Sequence, residues 1–295
     1  MKKILLVYNP VSGSAVFRKN LDEIIESFQR RNILLTFYRT RAGNFFDEFV
    51  DCIKISNVEG VIAAGGDGTL HTVINYLKKA EINLPVGIIG SGTSNDFATH
   101  LELDAEKTVT AIAENKIRPA DLGLVNGKDF FINVASAGVL TSIAHEVDTR
   151  QKNSLGKFAY YIRGVGEIPN FKSVPLKISA DGRKFEMEAF LFLILNSPAV
   201  AGLKKISDKI KIDDGKLDFL ALKKCNPRNL INLAQKILSG KCIDDDENIF
   251  YIQAKNFEIN SSEKLISDLD GEIGDILPLK IETVPRSINF FADKY

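Results

Sequence analysis

The chain has 295 residues, 45% hydrophobic and 26% charged, a globular composition with length for two domains rather than one. Lys plus Arg (38) equals Asp plus Glu (38), so net charge gives no sign of a nucleic-acid partner. Cys52, Cys225 and Cys242 form no CxxC pair and no Cys/His cluster with metal spacing, which fits thiols in a reducing cytoplasm better than a disulfide framework.

In chain order, two lysines precede the apolar run 4–8, which ends in Asn9-Pro10. That run is too short for a signal-peptide core and lacks a small-residue cleavage site, so it reads as a first buried strand. Residues 21–28 carry Leu21, Ile24, Ile25 and Phe28 at helical spacing, and 33–38 is strand-like. Residues 45–55 are again helical, with Phe46, Phe49, Val50 and Ile53 on one face. A buried strand at 58–64 runs into glycines, a helix follows at 70–77, and 85–89 is another strand. Buried strands separated by helices predict a parallel sheet covered on both faces, in a first domain over 1–120.

The pattern changes after Asp121. Residues 128–135 look like a strand, and 142–168 look helical, ending near Pro169. Asp181-Gly182 separates two strand-like runs, and Asp214-Gly215 separates 209–212 from 216–222, both with the dipeptide of a tight hairpin turn. Asn226-Pro227 opens a helix to about Leu238, with Gly240 beyond its end. Further strands are expected at 250–259 and 276–284, which makes a second domain over 121–286 mainly antiparallel β. No stretch has the apolar length to cross a bilayer; the strongest, 189–195, is strand-sized. A cleft between the two domains is the default ligand site.

Three small-residue loops follow predicted strands of the first domain. They are Asn9-Pro10-Val11-Ser12-Gly13, Gly65-Gly66-Asp67-Gly68-Thr69, and Gly90-Ser91-Gly92-Thr93-Ser94-Asn95-Asp96. Strands of a parallel sheet end along one edge, so the loops should converge there. Glycine lets backbone N–H groups approach phosphate oxygens, and a helix beginning at Thr69 would aim its positive end at them. A single such loop is more often a plain tight turn; three at one edge favour phosphate binding. There is no Gly-Lys-Ser/Thr and no G-x-G-x-x-G after the first strand, so Mg²⁺ and backbone dipoles would carry the charge neutralisation. Asp67 is the candidate to hold or orient that metal, a surface-turn aspartate being the competing reading.

At these residues the sequence resembles the bacterial diacylglycerol-kinase-like lipid kinases, relatives of diacylglycerol, sphingosine and ceramide kinases. The resemblance spans nearly the whole chain and rests on four motifs: Asn9-Pro10-x-Ser12-Gly13, Gly65–Thr69, Gly92-Thr93-Ser94-Asn95-Asp96-Phe97-Ala98, and Asp270-Gly271-Glu272. It implies an N-terminal nucleotide domain and a C-terminal β-sandwich-like domain, with residues 287–295 returning to the first. By position it assigns ATP contacts to Asn9, Pro10, Val11, Ser12, Gly13, Thr40, to the stretch from Gly65 and Gly66 through Asp67, Gly68, Thr69, Leu70, His71 and Thr72, and to Gly92 and Thr93. Asp67, Asn95 and Asp96 would line the meeting place of phosphates and Mg²⁺, and Glu272 would be the general base. Asp214 would bind a structural Mg²⁺ with the backbone carbonyls of Lys211 and Lys216, in a stretch that by itself reads only as a turn. The chain departs from many relatives at His71-Thr72, where Asn-Glu is common, and at Ser14, where lysine is common.

The implied activity is ATP- and Mg²⁺-dependent phosphoryl transfer to a lipid hydroxyl, by a cytoplasmic protein that meets the membrane peripherally, with a homodimer among its expected states. An NAD-kinase-like small-molecule kinase and a non-catalytic nucleotide- or lipid-binding regulator are the alternatives. For the acceptor, Phe130, Phe131, Phe171, Phe190 and Phe192 stand as groove residues or as simple core. Residues 152–163 combine cations and aromatics, as a membrane-facing segment or a packed family helix.

Overall fold

A computed structural model describes residues 1–12, 20–92, 95–138, 172–199 and 206–293. Two compact units emerge, residues 1–120 with 286–295, and residues 121–285.

The first unit alternates strand and helix: β1 (Lys2–Tyr8), α1 (Leu21–Arg30), β2 (Ile33–Arg39), α2 (Phe46–Ser56), β3 (Gly60–Gly65), α3 (Asp67–Lys79), β4 (Val86–Gly90), α4 (Asp96–His100) and α5 (Ala105–Glu114). The strands lie parallel in the order β4-β3-β1-β2, and Phe290 from the far end of the chain extends the sheet beside Val86. Ile4 to Val7 are fully buried because helices cover both faces, which is why β1 shows no alternation. On one face Ile24 and Phe28 of α1 meet Val109 and Ile112 of α5 over Ile4, Leu6 and Ile62. On the other, Phe49 of α2 packs edge-on against Tyr38 of β2, and Phe45 against Tyr76 of α3. Helix α5 starts where the Asp104 carboxylate accepts Lys107 N–H at 2.8 Å and stops at Asn115 in the left-handed region.

The second unit is antiparallel. Its strands are β5 (Ile117–Val125), β6 (Asp129–Phe131), β7 (Val134–Gly138), β8 (Val174–Ala180), β9 (Arg183–Leu195), β10 (Leu217–Lys223), β11 (Ile249–Ala254), β12 (Asn256–Ser261), β13 (Ile266–Leu269), β14 (Glu272–Ile276) and β15 (Leu279–Phe291), with α6 (Pro227–Leu238) after β10. The 13-residue β9 organises it: its first half pairs with β8, and its second half pairs with both β7 and β10. Phe192 and Ile194 face an inner core with Phe219 and Phe257, whereas Leu191, Leu193 and Leu195 face an outer core completed by α6. Both faces of 189–195 are therefore buried, and the run reads as continuously apolar although the sheet is antiparallel. Phe131, Phe190 and Phe192 are 1%, 5% and 0% exposed and belong to the core, which removes them as lipid-groove residues; Phe171 and residues 142–168 lie outside the described residues.

Three expected strands differ. Residues 209–212 form no strand, so Asp214-Gly215 closes a loop rather than a hairpin. The run 128–135 breaks into β6 and β7, because the Asp270 carboxylate takes the N–H groups of Ile132, Asn133 and Val134. The run 250–259 breaks at Lys255, where Asp181 accepts the N–H groups of Lys255 and Asn256 at 3.0 and 2.9 Å. Asp181-Gly182 does form the tight turn between β8 and β9, with φ of 47° and 82°. Helix α6 begins as predicted: the Asn226 side chain accepts Asn229 N–H at 2.9 Å and Pro227 occupies the first turn. Asn226→Ala should lower stability by about 1 kcal/mol, read as a shift in the urea midpoint at unchanged slope.

Candidate functional site

The polar residues of the first unit meet at the carboxyl edge of its sheet because neighbouring strands end level. Tyr8 pairs with Ala64 and Arg39, and Gly65 with Gly90, so the chain leaves β1, β2, β3 and β4 side by side. Asn9 N–H donates to the Ala64 carbonyl at 3.1 Å, Thr40 N–H to the Tyr8 carbonyl at 2.9 Å, and Ser91 N–H to the Gly65 carbonyl at 2.9 Å. These bonds continue the ladder past the strand ends and fix Asn9, Thr40, Gly66 and Gly92 in one row. The Asn9 side chain closes its own turn by accepting Val11 N–H at 3.1 Å.

Two of the loops touch through glycine. A Cβ on Gly66 would lie 3.3 Å from the Gly92 Cα and 3.7 Å from Ser12 Oγ, and one on Gly92 would lie 2.5 Å from the Gly66 Cα. The approach leaves the backbone as the lining of the cradle. Helix α3 starts at Asp67, two residues earlier than the predicted Thr69, with Gly66 as its cap, so its positive end opens beside Gly92. Asn95, in the left-handed region at φ 50°, accepts Gly92 N–H at 2.8 Å and donates back to the Gly92 carbonyl at 2.9 Å, which locks the third loop.

Two acidic residues adjoin this cradle, Asp67 as the first residue of α3 and Asp96 as the first of α4. Asp96 is 5% exposed, and its N–H donates to Asp67 Oδ2 at 3.3 Å. Two acids beside a loop that bound phosphate would repel that ligand unless a cation lay between them, so these residues are compatible with a nucleotide carrying a divalent ion. Ser91 Oγ is buried with no hydrogen-bond partner among the described residues, a further open acceptor and donor at this edge. Other expected contacts are less direct. The Leu70 side chain is 2% exposed core, Val11 points to solvent at 84% exposure, the Thr72 hydroxyl donates to the Gly68 carbonyl at 2.9 Å, and His71 meets Asn75. Gly13 and Thr93 lie outside the described residues.

In the second unit Glu272 is the first residue of β14, directly after a turn in which Asp270 and Gly271 both have positive φ (53° and 92°). The turn is held by Asp268 Oδ1, which accepts Gly271 N–H at 2.8 Å, and by Asp270, whose two oxygens take three backbone N–H groups at 2.8 to 3.0 Å. Sequence reasoning found Glu272 by family position; the Asp-Gly dipeptide at 270–271 is the same hairpin signal it used elsewhere.

Asp214 stands exposed on its loop, with its oxygens accepting Lys216 N–H at 3.0 Å and Gln253 Nε2–H at 3.1 Å. Behind it lies Asp218, fully buried, which accepts from the Tyr251 hydroxyl and from Gln253, and whose Oδ2 has no partner among the described residues. Burial first, and the nearby Asp214 charge, push the Asp218 carboxyl up to about 6 against the Tyr251 hydrogen bond. No group of three or more His, Cys, Asp or Glu that could hold a metal occurs among the described residues, so a cation at this loop would lean on backbone carbonyls such as those of Lys211 and Lys216. The orphaned Asp218 oxygen beside Asp214 fits such an ion.

Asp218 has a measurable consequence. Between its unfolded value near 4 and about 6, the native state binds the extra proton, so stability falls as pH rises through that window. In chelator-containing buffer the wild type should lose roughly 1–3 kcal/mol from pH 4 to 6 relative to Asp218→Asn. Denaturant melts of both chains across that range give the difference directly; parallel curves would refute it.

The diacylglycerol kinase catalytic domain family matches residues 3–125, and the YegS C-terminal NAD kinase beta sandwich-like domain matches residues 133–292. The diacylglycerol kinase of Bacillus subtilis (strain 168) is 33% identical over 297 residues, covering 100% of this chain and 97% of the relative. That of Staphylococcus haemolyticus (strain JCSC1435) is also 33% identical, covering 98% and 88%. A crystal structure of a diacylglycerol kinase from Bacillus anthracis str. Sterne superimposes with a TM-score of 0.76 at 26% identity, covering 99% of this chain and 97% of that one.

Proposed function

Because the chain belongs to the diacylglycerol kinase family, we propose that it transfers the γ-phosphate of ATP, with Mg²⁺, to the hydroxyl of diacylglycerol or a related lipid alcohol. The observation that carries the reading is the close approach of Gly66 and Gly92 at the sheet edge, with Asp67 and Asp96 bonded to each other beside it. Phosphoryl transfer asks a protein chiefly for positioning, charge neutralisation and removal of one proton.

Each task has residues suited to it. The backbone of Gly66, Gly92 and the first turn of α3 orients phosphate oxygens, and Asn95 keeps the Gly92 loop in place. Asn9 and Thr40, whose N–H groups extend the ladder at the same edge, would meet the nucleoside end. Asp67 and Asp96 would hold the ion that accompanies the nucleotide; when bound, Mg²⁺ neutralises phosphate charge. Asp214 with the Lys211 and Lys216 carbonyls would hold a structural one. Glu272 takes the proton from the acceptor alcohol, which is a poor nucleophile until a carboxylate does so.

No helix among the described residues is long and apolar enough to cross a membrane. In this reading the lipid is met from the bilayer surface, on the cytoplasmic side. The test is transfer of radiolabelled γ-phosphate to a total lipid extract, followed by identification of the labelled product. Label in a phosphorylated lipid alcohol is the expected result. Label in NAD instead, or ATP binding with no transfer to any lipid, would overturn the assignment.

A further inference from the structure

A buried chain of hydrogen bonds runs from the turn that presents Glu272 to the loop that carries Asp214, and one side chain stands at its middle. Asp270 Oδ2 accepts Ile132 N–H at 2.8 Å. The Ile132 carbonyl accepts from Asn196 Nδ2 at 2.8 Å, and the same Nδ2 donates to the Asp121 carbonyl at 2.9 Å. Asp121 then grips the loop twice: its N–H donates to the Ile212 carbonyl at 2.6 Å, and its Oδ2 accepts Gly215 N–H at 2.6 Å. Asn196 and Asp121 are both 0% exposed, and Asn196 N–H donates to the Asn133 carbonyl at 2.9 Å.

The chemistry of the centre is specific. Two carbonyls face one point, and a primary amide nitrogen supplies two hydrogens that diverge toward them. Aspartate would set an acceptor against two acceptors, and leucine would remove the buried donor that both carbonyls share. Water cannot replace the missing donor cheaply, since the site is closed. The 132–134 segment is in turn clamped by Asp270, which takes its three successive N–H groups.

We propose that Asn196 is a positioning residue that couples the Glu272 turn to the Asp214 loop, so that a displacement at either is felt at the other. Its meaning for catalysis rests on the roles proposed above for Glu272 and Asp214; the coupling itself does not. A contiguous set of bonds is a route and not yet a coupling, and a mutant cycle with a distant readout separates the two.

The experiment is amide hydrogen exchange on the full chain, read at Gly215 and at Ile132, Asn133 and Val134. Asp270→Asn weakens the bonds that the Asp270 carboxylate makes to residues 132–134 at the Glu272 end, yet exchange at Gly215 should quicken by about tenfold. Asn196→Leu should quicken both ends, and adding Asp270→Asn to it should change Gly215 no further. With the nucleotide loops in the other unit, Asn196→Leu should lower kcat by about tenfold and leave KM for ATP within about twofold. Gly215 exchange within about twofold of wild type in Asp270→Asn would overturn the proposal. If that variant loses protection throughout the second unit, the reciprocal Asp121→Asn, read at Ile132–Val134, decides by the same criterion. Coupled exchange in a chain that phosphorylates no lipid would keep this inference and sink the lipid-kinase reading; uncoupled exchange in an active kinase would do the reverse.

Discussion

Glu272→Gln is expected to cut phosphoryl transfer by about 10²–10⁴-fold, the usual worth of a general base, with KM for ATP little changed. The substitution keeps the size of the side chain, and the Asp270-Gly271 turn is closed by the backbone pairing of Leu269 with Glu272 and held by the Asp268 and Asp270 side chains, none of which it removes. Glu272 opens the last strand of the sheet order and is partly exposed, so a substrate hydroxyl would have access to it. Single-turnover transfer to lipid vesicles measures the chemical step, with circular dichroism to confirm the fold. Turnover within threefold of wild type would remove Glu272 as the base and direct attention to the carboxylates of the nucleotide loops.

Gly92→Ala should abolish tight nucleotide binding. The new methyl would stand 2.5 Å from the Gly66 Cα and 2.9 Å from Asn95 Oδ1. Neither neighbour can yield cheaply. Gly66 caps a helix anchored by buried Leu70, Val73, Ile74 and Leu77, and Asn95 is tied to Gly92 itself by two hydrogen bonds. Overpacking of this kind costs about 1–3 kcal/mol in stability. The loops would separate and the phosphate cradle with them, so ATP affinity should fall by about a hundredfold, near 2.7 kcal/mol. Calorimetric titration with ATP and Mg²⁺ checks it, beside a melt to bound the stability change. Affinity within fivefold of wild type would show that these two loops do not form the phosphate site.

Local pattern proved a good guide to burial and a poorer one to pairing. The alternation Lys209-Ile210-Lys211-Ile212 was read as a strand, and Ile210 and Ile212 are indeed buried at 5% and 1%. The segment nevertheless forms no strand, because its Ile212 carbonyl is taken by Asp121 rather than by a neighbouring ladder. The broken strands at 132–133 and 255 have one cause. In each, a carboxylate distant in sequence intercepts backbone N–H groups that a continuous strand would have used, Asp270 in the first and Asp181 in the second. Nothing within ten residues of either break announces it.

The candidate site divides the same way. The glycine loops at 9–13, 65–69 and 90–96 were legible because spacing alone says that each follows a buried strand, and parallel strands end at one edge. What the spacing could not say is that Gly66 and Gly92 touch, or that Asn95 binds back onto its own loop. Asp218 and Asn196 carried no sequence signal at all, being one acid and one amide among many.

By itself, then, the sequence determined which segments are buried, which half is parallel, and where the backbone is bare of side chains. Periodicity and glycine content are local properties, and a chain cannot hide them. Only the tertiary structure decided which buried polar groups meet: Asn196 with Ile132 and Asp121, 64 and 75 residues away, and Asp270 with Ile132 across 138. Such partners are chosen by closure of the fold around groups that cannot stay unpaired in its interior, and that choice is written nowhere in the spacing of the residues that make it.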